Sequence, residues 1–406
     1  MRFVVVSCGL ASLLVAACDA ASVRSRCGDG RLDDGEVCDG ELLRGESCLS
    51  RGFTGGVLAC ATSCRDFDVR ACTSTSPDAG LTDSGTPDDA GSAADAGPSM
   101  ALVVRAGQLQ HLDGRPVDVR GAISCCGGGY GWPLFDEAWL DLAATRGATF
   151  LHMRLGPFLT SGNGETDWST TGGGYVEANG KADLTRFNEA FWARVRALLQ
   201  LARDRGVYVE VDVIDGWAVK HCRWGDSPGY SAWEAASNAQ GVDLCASAAS
   251  GPVVRGGAHE AWIRKVVAET GGFDNVLFED GNEVGLVQGY DAAWTDTMAA
   301  LIRDEEARRG YGAHPFGTNS GDATAMQLPV VDYLEFHQNQ PLAAAQCFGK
   351  PCFANEYNPD PPLTPAQFSQ RFCAARAQGT AFFYWRHGQD EAAMLDSLSR
   401  LGQPCP

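Results

Sequence analysis

Short apolar runs alternate with helix-period segments from about residue 100 to the end of the chain. Eight runs have the character of buried strands, at residues 117–121, 150–155, 207–215, 276–278, near 316, 330–337, 350–357 and 381–385. Helical patterns cover 136–145, a stretch marked by Leu184, Phe187, Phe191, Val195, Leu198 and Ala202, then 259–269, 291–309, a segment opening at Thr364-Pro365, and 390–401. This alternation predicts an α/β fold, a (β/α)8 TIM barrel, with a doubly wound open sheet as the alternative. A dinucleotide-binding fold has little support, because no G-x-G-x-x-G follows the first strand.

Two of the strand-like runs have a glutamate near or just beyond their carboxyl ends. Glu283 follows Asn282 at the end of one run, and Glu356 lies in the run at 350–357. In a barrel, the carboxyl ends of all the strands meet on one face, where barrel enzymes place their chemistry. The residues that would meet there are Arg154, Asp215, Glu283, Asn319, His337, Glu356 and Trp385. Two carboxyls about 5–5.5 Å apart suit a retaining glycosidase, and about 6.5–9.5 Å an inverting one.

The first eighteen residues have the pattern of an export signal. Arg2 precedes an apolar segment, 3–17, that is too short for a mature membrane span and ends at Cys18. The run Leu14-Val15-Ala16-Ala17-Cys18 resembles the lipobox of bacterial lipoproteins. That resemblance implies lipidation of Cys18 and an exported protein anchored at the cell envelope by lipid alone. Ordinary signal cleavage after Ala17 or Ala20 is the alternative.

A cysteine-rich module is predicted for residues 19–72. Its six cysteines between 27 and 72 lie among few large apolar residues, so disulfides must hold it. Six cysteines allow fifteen pairings, and the sequence does not choose among them. The motif Cys27-Gly28-Asp29-Gly30, with 35–40, resembles the cysteine-rich repeats of myxobacterial surface proteins. Calcium binding is the weaker alternative, because the spacing fits no EF-hand loop.

Residues 73–99 predict a disordered linker, because small and polar residues dominate and Leu81 is the single large apolar residue. The barrel domain is therefore expected at residues 100–406. Three cysteine pairs are expected in it, Cys222 with Cys245, Cys347 with Cys352, and Cys373 with Cys405. Cys125 and Cys126 are adjacent and unplaced, with a vicinal disulfide as one option.

The composition narrows the class of protein. A formal charge of −19 argues against binding to nucleic acid or adsorption to anionic lipid. Sixteen cysteines indicate an oxidising compartment. The seven histidines form no H-x-x-x-H pair, so no zinc site and no cofactor are predicted, and a monomer is expected.

Several segments resemble clan A glycoside hydrolases, the cellulase-like, family 5-like barrel enzymes. The resemblance spans about residues 101–406 and rests on an ordered set of strand ends. The matching segments are Asp113-Gly114-Arg115-Pro116 with Val119-Arg120-Gly121, His152-Met153-Arg154-Leu155, Phe278-Glu279-Asp280-Gly281-Asn282-Glu283, His337, Lys350-Pro351 through Glu356, and Trp385. It implies that Glu283 is the acid/base and Glu356 the nucleophile.

The resemblance also assigns substrate-binding residues. Arg154 would keep the nucleophile ionised, Asn282 would donate to the sugar 2-hydroxyl, and Trp385 would lie under the reacting sugar. His337 matches the sixth-strand histidine, although a structural histidine is an equal alternative. Trp217, one of several aromatic residues in the third loop, suits sugar stacking, and packing of the loop is the plainer account.

Two positions depart from the family pattern. Val284 stands where a proline usually follows the acid/base, and His337-Gln338-Asn339 replaces the usual His-x-Tyr. Tyr384 or Tyr357 could take the place of the absent tyrosine. Asp215 could equally cap the loop that it begins.

The sequence thus predicts an exported retaining glycosidase that acts on a polysaccharide or oligosaccharide. Two alternatives remain, a carbohydrate-binding lipoprotein on a degenerate barrel and a transglycosylase with the same residues.

Overall fold

A computed structural model of the chain describes residues 27, 37–39, 43, 55–56, 58–61, 63–70, 72–73, 99–123, 136–159, 173–216, 219, 231–245, 257–284, 290–337, 342–357, 363–384, 399–400 and 405. The chain divides into two compact units, residues 1–85 and 86–406. The predictions for Cys18, for Cys125 and Cys126, and for Cys222 lie outside the described residues, as does most of the predicted helix at 390–401.

Disulfides and a small apolar cluster hold the first unit. Its short strands are β1 (Gly55–Gly56), β2 (Ala59–Cys60), β3 (Phe67–Asp68) and β4 (Cys72–Thr73), paired antiparallel as β1 with β4 and β2 with β3. The bonds Cys27–Cys64 and Cys38–Cys60 tie the segment together. Cys38, Leu58 and Phe67 pack beside them. Covalent links therefore support a segment whose apolar cluster is small, as the sequence predicted.

The second unit contains a closed eight-stranded parallel barrel, which confirms the predicted (β/α)8 fold. A hairpin of β5 (Leu102–Arg105) and β6 (Gln108–His111) precedes it. The barrel strands are β7 (Gly121–Ile123), β8 (Phe150–Arg154), β11 (Tyr208–Asp212), β12 (Val276–Glu279), β13 (Phe316–Thr318), β14 (Tyr333–His337), β15 (Cys352–Tyr357) and β16 (Thr380–Tyr384). They follow one another around the barrel in chain order, and β16 pairs with β7 to close it. A second hairpin, β9 (Tyr175–Ala178) with β10 (Lys181–Phe187), lies between β8 and β11 in the chain.

Several helices of the second unit begin after a capping side chain. The helices are α1 (Glu137–Thr145), α2 (Glu189–Asp204), α3 (Gly257–Thr270), α4 (Ala292–Arg309), α5 (Ala323–Met326) and α6 (Pro365–Ala377), with short 3-10 turns at Ala235–Ser237 and Ala344–Cys347. Asp136 and Asp291 accept hydrogen bonds from first-turn amides of α1 and α4. Thr364 caps α6, and Pro365 takes its first position, as predicted.

Two apolar layers support the barrel. Inside it, rings at the start of the strands, such as Phe150, Tyr208 and Phe353, contact Leu102 and Leu109 of the β5–β6 hairpin. Because Phe150 and Tyr208 are the first residues of their strands, this hairpin covers the amino-terminal end of the barrel. The larger layer fills the space between the strands and the helices. The opposite, carboxyl end is left for polar residues.

Two sequence expectations need correction. The first barrel strand is Gly121–Ile123, which overlaps the predicted 117–121 only at Gly121. Leu184 and Phe187 lie in β10, and helix α2 begins only at Glu189. Their three-residue spacing matched a helix by coincidence, whereas Asn179-Gly180, both at positive φ, form the turn of a hairpin. That dipeptide was the signal that the helical interpretation passed over.

Two predicted disulfides in the second unit are confirmed, Cys347–Cys352 and Cys373–Cys405. Cys245 is also disulfide-bonded. Within the described part of the chain, every helix is too short or too polar to span a bilayer.

We predict that Gly317→Ala destabilises the barrel. A β-carbon at Gly317 would lie 2.3 Å from the buried ring of Tyr333, so the core must shift. Overpacking of this kind costs about 1–3 kcal/mol. The control is Gly312→Ala, because a β-carbon there meets nothing within 4 Å and the backbone needs no positive φ. Urea unfolding of both variants measures the difference, and equal stabilities would contradict the packing argument.

Candidate active site at the carboxyl end of the barrel

The carboxyl ends of the barrel strands carry a concentration of polar residues. Arg154, Asp212 and Glu279 are the last residues of β8, β11 and β12, and they are paired in register across these neighbouring strands. All three are buried. Asn282 and Glu283 follow β12 within four residues, so Arg154, Asn282 and Glu283 lie toward the same, carboxyl end of the barrel strands.

The segment that carries Glu283 makes an unusual turn. Glu283 itself has φ of 52°, a left-handed conformation that is uncommon for residues other than glycine. Gly281 has φ of 157°, and a β-carbon there would lie 2.4 Å from the Ile214 side chain. The glycine is therefore required for the connection after β11 to approach this closely. The Glu283 side chain is only partly buried, so part of it is open to solvent.

Asn282 is held by the connection after β11. The backbone N–H of Asn282 donates to the Ile214 carbonyl oxygen at 3.1 Å, and the Asn282 carbonyl oxygen accepts from the Gly216 N–H at 2.8 Å. Its side-chain Nδ2 donates to Asp215 Oδ2 at 3.2 Å. Both side chains are buried. Asp215 therefore holds the Asn282 side chain. The sequence also allowed Asp215 to be only a cap for the loop that it begins.

Arg154 lies beside a buried carboxylate and histidine. Its Nε is 4.0 Å from Asp212 Oδ2, while Asp212 Oδ1 is 2.8 Å from His152 Nε2. Burial is the largest single influence on His152 and lowers its pKa, but the charge and the hydrogen bond of Asp212 together with the charge of Glu210 outweigh it, so the net pKa lies above the usual value. Asp212 thus contacts two basic groups in the barrel interior.

The interior holds further acidic residues that the sequence interpretation did not single out. Glu210, Glu279 and Glu335 are buried on β11, β12 and β14. Burial raises the pKa of Glu279 well above its usual value, and the neighbouring Asp212 adds to the shift. Burial also raises the pKa of Glu210. Acidic residues at alternate positions of otherwise apolar strands, as in Tyr-Val-Glu-Val-Asp at 208–212, were the signal for this inward layer.

Two sets of these side chains have the spacing of metal ligands. His152, Asp212 and Glu279 form one, and Glu210, Glu279 and Glu335 the other, with ligating atoms within 4.8 Å of one another in each. No chain spacing could reveal such sets, because each draws on three separate strands. A second interpretation is that these side chains share protons and hold no metal. The contact of His152 with Asp212 and the raised pKa of Glu279 fit that interpretation equally well.

Asp280 anchors the next strand. Its Oδ2 accepts hydrogen bonds from the hydroxyls of Thr318 at 2.6 Å and Thr295 at 3.0 Å, and its Oδ1 from the Asn319 N–H at 3.3 Å. Burial raises the pKa of Asp280 to about 7, although these donors oppose the shift. Asn319, a predicted strand-end residue, is buried, and its backbone N–H makes this contact with Asp280.

The remaining predicted site residues are placed only by their strands or lie outside the described residues. His337 ends β14 and pairs with Asn355, and Glu356 lies on β15. Tyr384 ends β16, where it pairs with Tyr357. Trp217 and Trp385 are outside the described residues. In the closed barrel, β15 lies three strands from β12 in one direction and five in the other.

No protein-family model matches the chain, and no curated protein sequence does. Solved structures do match it. A candidate glycoside hydrolase from Bacteroides vulgatus is 13% identical over 74% of this chain and 59% of that one, with a TM-score of 0.52. A β-mannanase from the blue mussel Mytilus edulis is 13% identical over 76% and 97%, with a TM-score of 0.47. The catalytic domain of an endoglucanase from Thermobifida fusca, solved with cellotetraose, is 11% identical over 73% and 90%, with a TM-score of 0.40.

The likeness to the Bacteroides protein shows a shared barrel fold, because identity at this level carries fold alone. The chain covers about three fifths of that protein's length.

The pKa of Asp280 predicts a pH dependence of stability. Because its folded-state pKa of about 7 exceeds the ordinary value of 3.8, the folded state binds more protons between those values. The free energy of unfolding should therefore fall as pH rises from about 4 to about 7, by up to roughly 4 kcal/mol from this group. Asp280→Asn removes that contribution. The measurement is urea unfolding of both proteins across this range.

The control for Asp280 is Asp322, whose backbone hydrogen bond from Thr324 leads the interactions that lower its pKa. Because the pKa of Asp322 is lowered, its carboxylate stabilises the fold above about pH 4, and Asp322→Asn should lose stability relative to the parent protein there. This pH dependence is opposite in sign to that of Asp280. A stability difference between the parent and Asp280→Asn that does not change with pH would contradict the assignment.

The left-handed backbone at Glu283 predicts a second stability effect. Glu283→Gly and Glu283→Ala both remove the carboxylate, but only glycine adopts φ of 52° without strain. We expect the glycine variant to be more stable than the alanine variant by about 1 kcal/mol. Thermal unfolding of the two decides it, and greater stability of the alanine variant would show that the turn relaxes in solution.

Proposed function

We propose that this chain is an exported, lipid-anchored retaining glycoside hydrolase that cleaves a polysaccharide or oligosaccharide. The observation that carries the proposal is the placement of Glu283. It follows the fourth barrel strand at the carboxyl end, in a left-handed turn, with Asn282 buried beside it. Backbone strain of this kind is concentrated at functional sites, and barrel enzymes use this face.

The proposed reaction needs two carboxyl groups. Glu283 would donate a proton to the glycosidic oxygen while the carboxylate of Glu356 attacks the anomeric carbon, so that a glycosyl ester forms and the leaving alcohol departs. Glu283 would then take a proton from water, whose oxygen displaces Glu356. Glu356 lies on β15 of the same closed barrel. Both residues are therefore on strands, or just beyond strands, that open on one face.

The supporting roles follow from charge and position. Arg154, buried at the end of β8, supplies the positive charge that would keep the nucleophile ionised. Asn282 would contact the sugar 2-hydroxyl. His337, Tyr384, Trp385 and Trp217 complete the proposed substrate-binding set.

The choice of a glycan substrate has one further support. One solved barrel structure that matches the chain, with a TM-score of 0.52, is a candidate glycoside hydrolase. Export and the lipid anchor rest on the apolar segment 3–17 and on Cys18. These features together favour a substrate outside the cytoplasm.

The test of the proposal is a pair of variants, Glu283→Gln and Glu356→Gln. On a polysaccharide panel with reducing-end detection, each should lower kcat/KM by about 1,000-fold or more, since each removes an essential proton or nucleophile. Asp141→Asn is the control, because exposed Asp141 pairs with Arg205, which follows α2 just before the amino-terminal end of β11. It should keep full activity.

The two roles are separable with aryl glycosides. A 2,4-dinitrophenyl leaving group needs no proton, so Glu283→Gln should retain bond cleavage on it and accumulate the glycosyl ester, whereas Glu356→Gln should not. Full activity of both variants on all substrates would refute the proposal. Sugar binding without any turnover by the parent protein would favour a non-catalytic binding protein, and product analysis would reveal a transglycosylase.

A further inference from the structure

The side chain of Asp215 faces the residue next to the proposed acid/base. Its Oδ2 lies 3.2 Å from Asn282 Nδ2, and Asp215 and Asn282 are 1% and 0% exposed. The two residues also pair through an isolated parallel bridge, which extends the β11–β12 pairing beyond both strands. The contact is thus built on the barrel backbone and shielded from water.

This contact selects one orientation of the Asn282 amide. A carboxylate only accepts hydrogen bonds, so the NH₂ end of the amide must face Asp215. The Oδ1 end is buried and accepts no hydrogen bond from any described residue. Oδ1 and the second N–H of Nδ2 are consequently what the amide can offer to a ligand.

The backbone leaves little freedom to adjust the contact. A β-carbon at Gly216 would lie 2.5 Å from the Asn282 carbonyl oxygen. A β-carbon at Gly281 would lie 2.6 Å from the Ile214 carbonyl oxygen. The two glycines allow the connection after β11 and the segment after β12 to lie in direct contact. This contact fixes the position of the Asp215 carboxylate.

We infer that Asp215 is a positioning residue for the proposed hydrolase, which sets the orientation of the Asn282 amide toward the sugar hydroxyl beside the anomeric carbon. The inference rests on the proposed function. Asp215 touches Asn282 and acts on the substrate only through it. Without the carboxylate, the amide can turn over and present a donor where an acceptor stood, or the reverse.

Two substrates separate this role from a structural one. They are a 4-nitrophenyl β-cellobioside or β-mannobioside that the parent protein cleaves, and the analogue whose aryl-linked sugar lacks the 2-hydroxyl. Asp215→Ala should lower kcat/KM on the first by about 10- to 100-fold, the effect of losing one buried polar contact. On the 2-deoxy analogue the loss should be under about 3-fold, because the amide has no hydroxyl left to meet.

Two further variants keep the test decisive if alanine disturbs folding. Asp215→Asn retains an oxygen that can accept from Asn282, so its activity should stay within about 3-fold of the parent. The double variant Asp215→Ala with Asn282→Ala should be no worse than Asn282→Ala alone, because the two residues act as one unit. Asp243→Ala is the control, since exposed Asp243 accepts from the Cys245 N–H and makes no contact with Asn282.

Equal losses on both substrates, additive effects in the double variant, or parent-like activity of Asp215→Ala would each overturn the inference. If Glu283→Gln abolishes turnover while Asp215→Ala keeps the parent's activity, the inference fails and the proposed function stands.

If the parent protein cleaves no glycoside, the proposed function fails, and calorimetric binding of the same two sugars decides the role of Asp215. A loss of affinity in Asp215→Ala confined to the 2-hydroxy sugar supports it, and an equal loss overturns it.

Discussion

The candidate site depends on backbone pairing that continues beyond the ends of two barrel strands. The chain after β11 follows the chain after β12 through hydrogen bonds between Ile214, Gly216 and Asn282. This pairing is close because Gly216 and Gly281 carry no β-carbon. It brings Asp215 to Asn282 and holds Glu283 in a left-handed turn. A loop held only by side chains would lose this geometry more readily, whereas an extension of the sheet shares the rigidity of the barrel.

A second constraint comes from the interior of the barrel. One end is filled by aromatic rings and closed by the β5–β6 hairpin. Toward the other end the interior contains Glu210, Asp212, Glu279 and Glu335. Burying these groups is costly unless protons or basic partners neutralise them, and the raised pKa values of Glu210 and Glu279 express that cost. The stability needed to offset it comes from the apolar layers around the strands.

The two units solve the problem of stability in different ways. The first has a small apolar cluster around Cys38 and relies on disulfides such as Cys27–Cys64. The barrel buries a large apolar core, and its disulfide Cys347–Cys352 ends at the first residue of β15. That bond lies at the entry to the strand that carries Glu356. Oxidising surroundings would therefore serve the barrel as well as the cysteine-rich unit.

The fold was predictable because the buried parallel strands and amphipathic helices leave local patterns. Eight apolar runs, the helix start at Thr364-Pro365, and the glutamate after Asn282 could all be identified in the chain. The β9–β10 hairpin was misread, since Leu184 and Phe187 satisfied a helical period by chance and only the Asn179-Gly180 turn signalled otherwise.

What the sequence alone determined was the order of the elements and the type of residue at each strand end. The tertiary structure decided which side chains meet. The Asp215–Asn282 contact joins residues 67 positions apart, and the interior acidic layer draws on β11, β12 and β14. No local pattern records such meetings, because they depend on how the barrel closes and on how near two backbones come. Burial and neighbouring charge then set the pKa of each group, and both are properties of the folded chain.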